Sequence, residues 1–203
     1  MQQTLMNPHF PALVLAAGAS TRLGRPKQTL QGPAGETLLD IAIANARLLS
    51  PQVWVVAGSG YPLLRFRSHR APLGWWFNPR WSDGLAASLQ EGLGRLDVRA
   101  KGAFVLLADQ PFLDRDDLET LGQRVRENPR EPLAARYGAR VGAPAWLPRH
   151  LWPACDQLRG DAGAGAVLNR AGAKAVEIAG VAFDIDTPAD WRLARKRLAE
   201  QPG

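Results

Sequence analysis

The chain has 203 residues, 46% of them hydrophobic and 22% charged, a balance that suits one globular domain, or one domain with a small lobe, and excludes a low-complexity protein. A net charge of +6 favours anionic partners. The basic residues are mostly arginine and scattered, with no lysine-rich tail, zinc-finger spacing or aromatic RNA-binding consensus, so a phosphorylated small molecule is expected in place of nucleic acid.

The N-terminal MQQTLMNPHF has neither a basic n-region nor an apolar h-region, and no apolar run approaches the roughly 18 residues of a membrane helix. A cytoplasmic protein with a frayed N-terminus is expected. From there strand-like and helix-like runs alternate. PALVLAAG (11–18) reads as a buried strand, and ETLLDIAIANARLL (36–49) as a helix with Leu38, Ile41, Ala42 and Leu49 on one face. QVWVVAG (52–58) is a second strand, 61–70 a short helix, GWWFN (74–78) a third strand, and 83–96 a helix with leucines at helical spacing. GAFVLLAD (102–109) is the strongest strand. A helix over 114–128 follows, then a strand over 173–180. The last helix, 187–200, starts with Thr187 as cap, Pro188 at the first helical position and Asp190 in the first turn. The segment 132–171, rich in Gly, Pro and Trp, breaks the rhythm and reads as a hairpin or lobe over the sheet. The fold expected is therefore α/β, a three-layer, Rossmann-like arrangement of a mostly parallel sheet with helices on both faces, in a single domain over 1–203.

Ligands of such sheets bind beyond the carboxyl ends of the strands, and the chemistry-bearing residues stand there. LAAGASTRLGRPKQ (15–28) leaves the first strand. Its small residues allow close backbone approach, Ser20 and Thr21 offer hydroxyls, and Arg22, Arg25 and Lys27 offer charge, together a phosphate cradle. It is neither a P-loop nor a dinucleotide fingerprint. FVLLADQP puts Asp109 at the end of the strongest strand, suited to a metal that takes one or two carboxylates. FDIDTPAD sets Asp184 and Asp186 two apart, on one face if extended. Both also fit an ordinary helix start. Cys155, the single cysteine, excludes an internal disulfide and reads as a packed thiol.

The pattern L-A-A-G-x-S-x-R-L-G-x-P-K-Q resembles the N-terminal signature of the nucleotidyltransferases that share the fold of the molybdenum cofactor guanylyl- and cytidylyltransferases. The resemblance extends in order through 78–93, 109–111, 142–144, 160–164 and 184–188. It implies that Leu15, Ala16, Ala17 and Gly18 contact a nucleotide by backbone. Arg22 and Lys27 would meet its phosphates as catalytic cations, with Asn78, Gly84 and Ser88 also on the nucleotide side. Asp109 with Asp186, Asp184 in reserve, would hold Mg²⁺, Asp109 being catalytic through it. Gly142, Pro144, Gly160 and Asp161 would face the acceptor. Gly165 stands where the family usually has arginine, with Arg159 or Arg140 as substitutes, and Trp146 and Trp152 are candidates to shield a pterin. LAAG in place of LAGG resembles the cytidylyl side of the family. The implied reaction transfers CMP from CTP to the molybdopterin cofactor with release of pyrophosphate, with a molybdoenzyme of the xanthine dehydrogenase type as a candidate partner. Two alternatives stay open: a nucleotidyltransferase for a sugar phosphate or other small phosphate, and a non-catalytic protein that binds and delivers the cofactor.

Overall fold

The structure, a computed structural model, describes residues 9–200; the expected frayed N-terminus lies outside the described residues. Seven strands form one sheet: β1 (Ala12–Ala16), β2 (Val53–Ala57), β3 (Gly74–Phe77), β4 (Gly102–Leu107), β5 (Leu133–Tyr137), β6 (Arg140–Pro148) and β7 (Lys174–Val176). Their order is β3-β2-β1-β4-β6-β5-β7. β1, β2, β3 and β4 are mutually parallel where they pair, β6 runs antiparallel to both β4 and β5, and β7 pairs parallel with β5. The sheet is thus mostly parallel with one reversed strand.

The central strands are apolar on both faces because both are covered. From β1, Ala12, Val14 and Ala16 pack beneath α1 (Leu38–Leu49) and α4 (Arg115–Glu127). Leu13 and Leu15 point the other way, towards α3 (Leu85–Arg95), α5 (Trp152–Cys155) and α6 (Ala164–Arg170). A third cluster, with Leu23, Leu30, Ile185 and Trp191, seats α7 (Pro188–Glu200) against the end of the first loop.

The Gly- and Pro-rich segment 132–148 forms the β5–β6 hairpin, and this hairpin lies in the sheet, not over it. Trp146 is its anchor: it is fully buried, sits opposite Phe104 of β4 and donates from Nε1 to the Pro129 carbonyl at 2.9 Å.

Two expected elements are cut short by carboxylates. The 61–70 helix is reduced to α2 (Leu63–Arg67) because Ser68 Oγ and the His69 and Arg70 N–H groups donate to Asp40 Oδ1 at 2.7–2.9 Å. The 173–180 strand ends at Val176, and Ala179 turns away to donate to Asp117 Oδ2.

Asp40 also closes the capping box of α1: its Oδ2 accepts from Thr37 N, while Thr37 Oγ1 accepts from Asp40 N. Burial alone would raise this carboxyl, but the bonds from Thr37, Ser68 and Arg70 outweigh it and hold it below the usual carboxylate range. The unfolded carboxyl titrates near about 3.9, so the stabilisation is complete above that value and lost as pH falls through the lower native value. Asp40→Ala is expected to lower the unfolding free energy at pH 7 by about 3 kcal/mol. In urea denaturation the gap to wild type should close as the pH is taken below about 4.

Candidate active site

The site stands where the sheet changes direction of winding. β1 has β2 on one side and β4 on the other, so the loops leaving β1 and β4 diverge and open a crevice between them. Above it is a cavity of about 500 Å³, lined by Leu15, Ala17 and Gly18 of the first loop, Lys27, Gly84 and Ser88 of the α3 start, and Asp109 and Asp161.

The first loop is fixed by the adjacent Lys27 and Gln28, which face opposite ways, and by Ser20. Gln28 is buried, and its Nε2 donates to the Ala16 and Gly18 carbonyls, both at 3.1 Å, stitching the loop back onto the end of β1. Ser20 takes the left-handed conformation (φ 54°), and its Oγ accepts from Lys27 N at 3.1 Å. Gly58 lets the β2 turn press on the same loop: a Cβ there would lie 2.3 Å from Trp81 Cβ and 2.8 Å from the Ala17 carbonyl oxygen.

Lys27 points into the cavity. Its Nζ donates to Asp109 Oδ2 at 2.5 Å, to the Ile185 carbonyl at 3.1 Å and to Asp186 Oδ1 at 3.1 Å. Arg22 donates to the other oxygen of Asp186 at 2.8 Å. Burial pulls the Lys27 pKa down, but the carboxylates of Asp109 and Asp186 more than reverse it, so the ammonium stays charged. For Asp186, burial pushes up, and the Lys27 and Arg22 cations overcome it and hold the carboxyl low. Asp190 supports the arrangement from below: its Oδ2 accepts from the N–H groups of Asp186 and Thr187, so the expected first-turn aspartate also positions Asp186.

Asp184 belongs to a neighbouring cluster. Gln110 Nε2 donates to Asp184 Oδ1 at 3.0 Å, to the Val181 carbonyl and to the Tyr137 hydroxyl. Tyr137 in turn donates to the Ala143 carbonyl. Burial and the nearby Asp109 charge raise the Asp184 carboxyl; burial, with Asp184 and Asp109, pushes the Tyr137 phenol up to about 12.

The other expected residues fall around the cavity in distinct ways. Asn78 is fully buried beneath it: Nδ2 donates to Ser88 Oγ at 3.2 Å and Oδ1 accepts from Arg80 N. Gly84 (φ 96°) and Gly160 (φ 58°) mark a close approach, since a Cβ on Gly84 would lie 2.4 Å from the Gly160 carbonyl oxygen. The Gly160 carbonyl also accepts from Ala86 N, which brings Asp161 to the cavity wall. Gly142 and Pro144 lie on β6, with Gly142 against the Tyr137 ring. A Cβ on Gly165 would stand 3.0 Å from the Val141 carbonyl oxygen, so α6 sits close on β6 there. Arg159 spends its guanidinium on the local Asp156 and Leu158 carbonyls. Trp146 and Trp152 lie at the Pro148 end of β6, away from the cavity; Trp152 donates to the Leu147 carbonyl and stacks under Arg149. Burial pushes the Cys155 thiol up to about 11, so it is an inert core group.

A sheet crevice with a lysine held between carboxylates and a small-residue loop above it defines a nucleotidyltransferase, in the fold of the nucleotide-diphospho-sugar transferases. The chain belongs to the family of the MobA-like NTP transferase domain, whose model matches residues 12–176. It is 27% identical to the purine catabolism protein PucB of Bacillus subtilis, over 96% of this chain and 100% of that one. It is 26% identical to the molybdenum cofactor cytidylyltransferase of Escherichia coli, over 93% and 96%. Among solved structures it resembles the Rv0371c complex with manganese from Mycobacterium tuberculosis, with a TM-score of 0.73 and 28% identity over 95% and 98% of the two chains.

Three residues outside the expected site help to build it: Gln28, Gln110 and Tyr137. Gln28 is legible only as the last letter of PKQ and Gln110 only as the middle letter of DQP; Tyr137 carries no sequence signal. Gln28→Leu leaves the Ala16 and Gly18 carbonyls without their donor. The expected cost is about 2 kcal/mol of stability, with weaker nucleotide binding, checked by thermal denaturation and by nucleotide titration of the same variant.

Proposed function

We propose that this chain transfers CMP from CTP to the terminal phosphate of the molybdopterin cofactor and releases pyrophosphate, using Mg²⁺. The observation that carries the reading is Lys27, gripped by Asp109 and Asp186 at the mouth of the cavity. Choice of CTP and of the acceptor rests on the LAAG signature and on the kinship with cofactor cytidylyl- and guanylyltransferases.

A divalent ion fits the donor set. Asp109 Oδ1 is buried with no hydrogen-bond partner, while Oδ2 is taken by Lys27. Among the described residues no group of three or more His, Cys, Asp or Glu could hold a metal, as suits Mg²⁺, which takes one or two carboxylates and completes its shell with phosphate and water. Asp109 and Asp186 are its holders in this reading, and bound there it would neutralise phosphate oxygens.

The protein's own residues do the rest. Without nucleotide, Arg22 and Lys27 compensate the carboxylates; with it, their N–H groups turn to the phosphates. An acceptor phosphate oxygen attacks the α-phosphorus, the bond to the bridging oxygen breaks, and the leaving pyrophosphate takes the charge that Arg22 and Lys27 meet. The acceptor is already ionised, so no general base is required. Rate comes from alignment and electrostatics. Gly142, Pro144, Gly160 and Asp161 would form the acceptor side, Asp161 standing on the wall of the same cavity. Close packing at Gly165 leaves the acceptor to be recognised without a cation at that position. A molybdoenzyme of the xanthine dehydrogenase type would receive the product.

Pyrophosphate release with each NTP, with and without molybdopterin cofactor, tests the reading. Asp109→Asn and Lys27→Met are each expected to lower kcat about 100-fold or more, with CTP preferred over GTP. Equal silence of wild type and Asp109→Asn with every NTP, despite tight nucleotide binding, would favour the delivery protein.

A further inference from the structure

A second basic concavity lies beside the first loop. It is a cavity of about 540 Å³ that shares no lining residue with the one above β1 and β4. Three segments far apart in sequence meet at it: the tail of the first loop with Arg25, α2 with Leu63 and Arg67, and α7 with Trp191 and Arg195. Trp191 is buried and supplies an apolar wall.

The charges are one-sided. Among the described residues, no carboxylate lines the cavity. Among the described residues, none of the three guanidiniums makes a hydrogen bond or ion pair. The sequence supplies the imbalance: from Ile41 to Ser82 there are five arginines and no aspartate or glutamate. Three like charges around one hollow repel each other, and a chain with 19 acidic residues has recruited none of them here. A concave low-dielectric wall concentrates the resulting positive potential. Guanidinium forks match phosphate oxygens in pairs, and the volume exceeds what a single carboxylate would fill.

We infer that this cavity is a second anion site, taking a multivalent phosphate: either an inorganic polyphosphate such as pyrophosphate, or the phosphate tail of a nucleotide. The inference is independent of the reaction proposed above. Arg25 lies two residues from Lys27, and the turn before α2 comes so near the intervening Pro26 that a Cβ on Gly60 would lie 3.5 Å from it, so an occupant here touches the segment that carries Lys27.

Calorimetric titration of the full chain with pyrophosphate in metal-free buffer tests the site, using wild type, R67E/R195E and Lys27→Met. The expected result is a binding event in wild type that persists in Lys27→Met and weakens at least about tenfold in R67E/R195E, and that fades as salt is raised. R67K/R195K, which keeps the charge, should retain measurable binding, and melting curves establish that each variant is folded. Repeating the titration with CTP distinguishes a nucleotide tail from an inorganic occupant. The site is disproved if every event seen in wild type survives in folded R67E/R195E, or if wild type binds neither probe at millimolar concentration.

Discussion

One half-buried ammonium organises the functional end of this protein. Lys27 Nζ is shared between Asp109 at the end of β4 and the Ile185–Asp186 segment before α7. Two carboxylates and a lysine drawn together and partly out of water are costly unless they compensate one another. The compensation therefore fixes three segments separated by 82 and 159 residues. The next residue, Gln28, turns the other way and ties the loop to β1. Adjacent side chains thus clamp the loop from both sides, which leaves the backbone of residues 17–19 facing the cavity.

This arrangement explains how the site stays folded without substrate. Each cation expected to meet phosphate is already neutralised: Lys27 by Asp109 and Asp186, Arg22 by Asp186. In the proposed reaction, nucleotide binding would then be an exchange of partners, with little new charge to bury. The unpaired Asp109 Oδ1 is the one carboxylate oxygen of the Lys27 pair left over in that exchange. Asp190 keeps Asp186 in place through its backbone N–H, so the carboxylate is held independently of the cations.

The proposed acceptor side is built on close backbone contact. Gly84 against Gly160 and Gly165 against Val141 bring α3 and α6 so near their neighbours that larger side chains would have to displace them. Asn169 reinforces the second contact by bonding both the N–H and the carbonyl of Val141.

By itself the sequence determined the alternation of buried strands and amphipathic helices, because covering a parallel sheet on both faces demands continuous apolar runs such as ALVL and FVLL. It also located the first loop and Asp109 at the cavity, since both stand within a few residues of strand ends. It could not show the hairpin of 133–148 entering the sheet, because Gly and Pro mark a turn without saying what its arms pair with; Trp146 packing on Phe104 decided that. Nor could it show which of Asp184 and Asp186 reaches Lys27. They are two residues apart and look alike, yet Gln110 takes one and the lysine takes the other. The convergence of Arg25, Arg67 and Arg195 is likewise a product of tertiary packing alone. Local pattern sets which face of an element is buried, while the meeting of distant polar groups depends on how the elements dock.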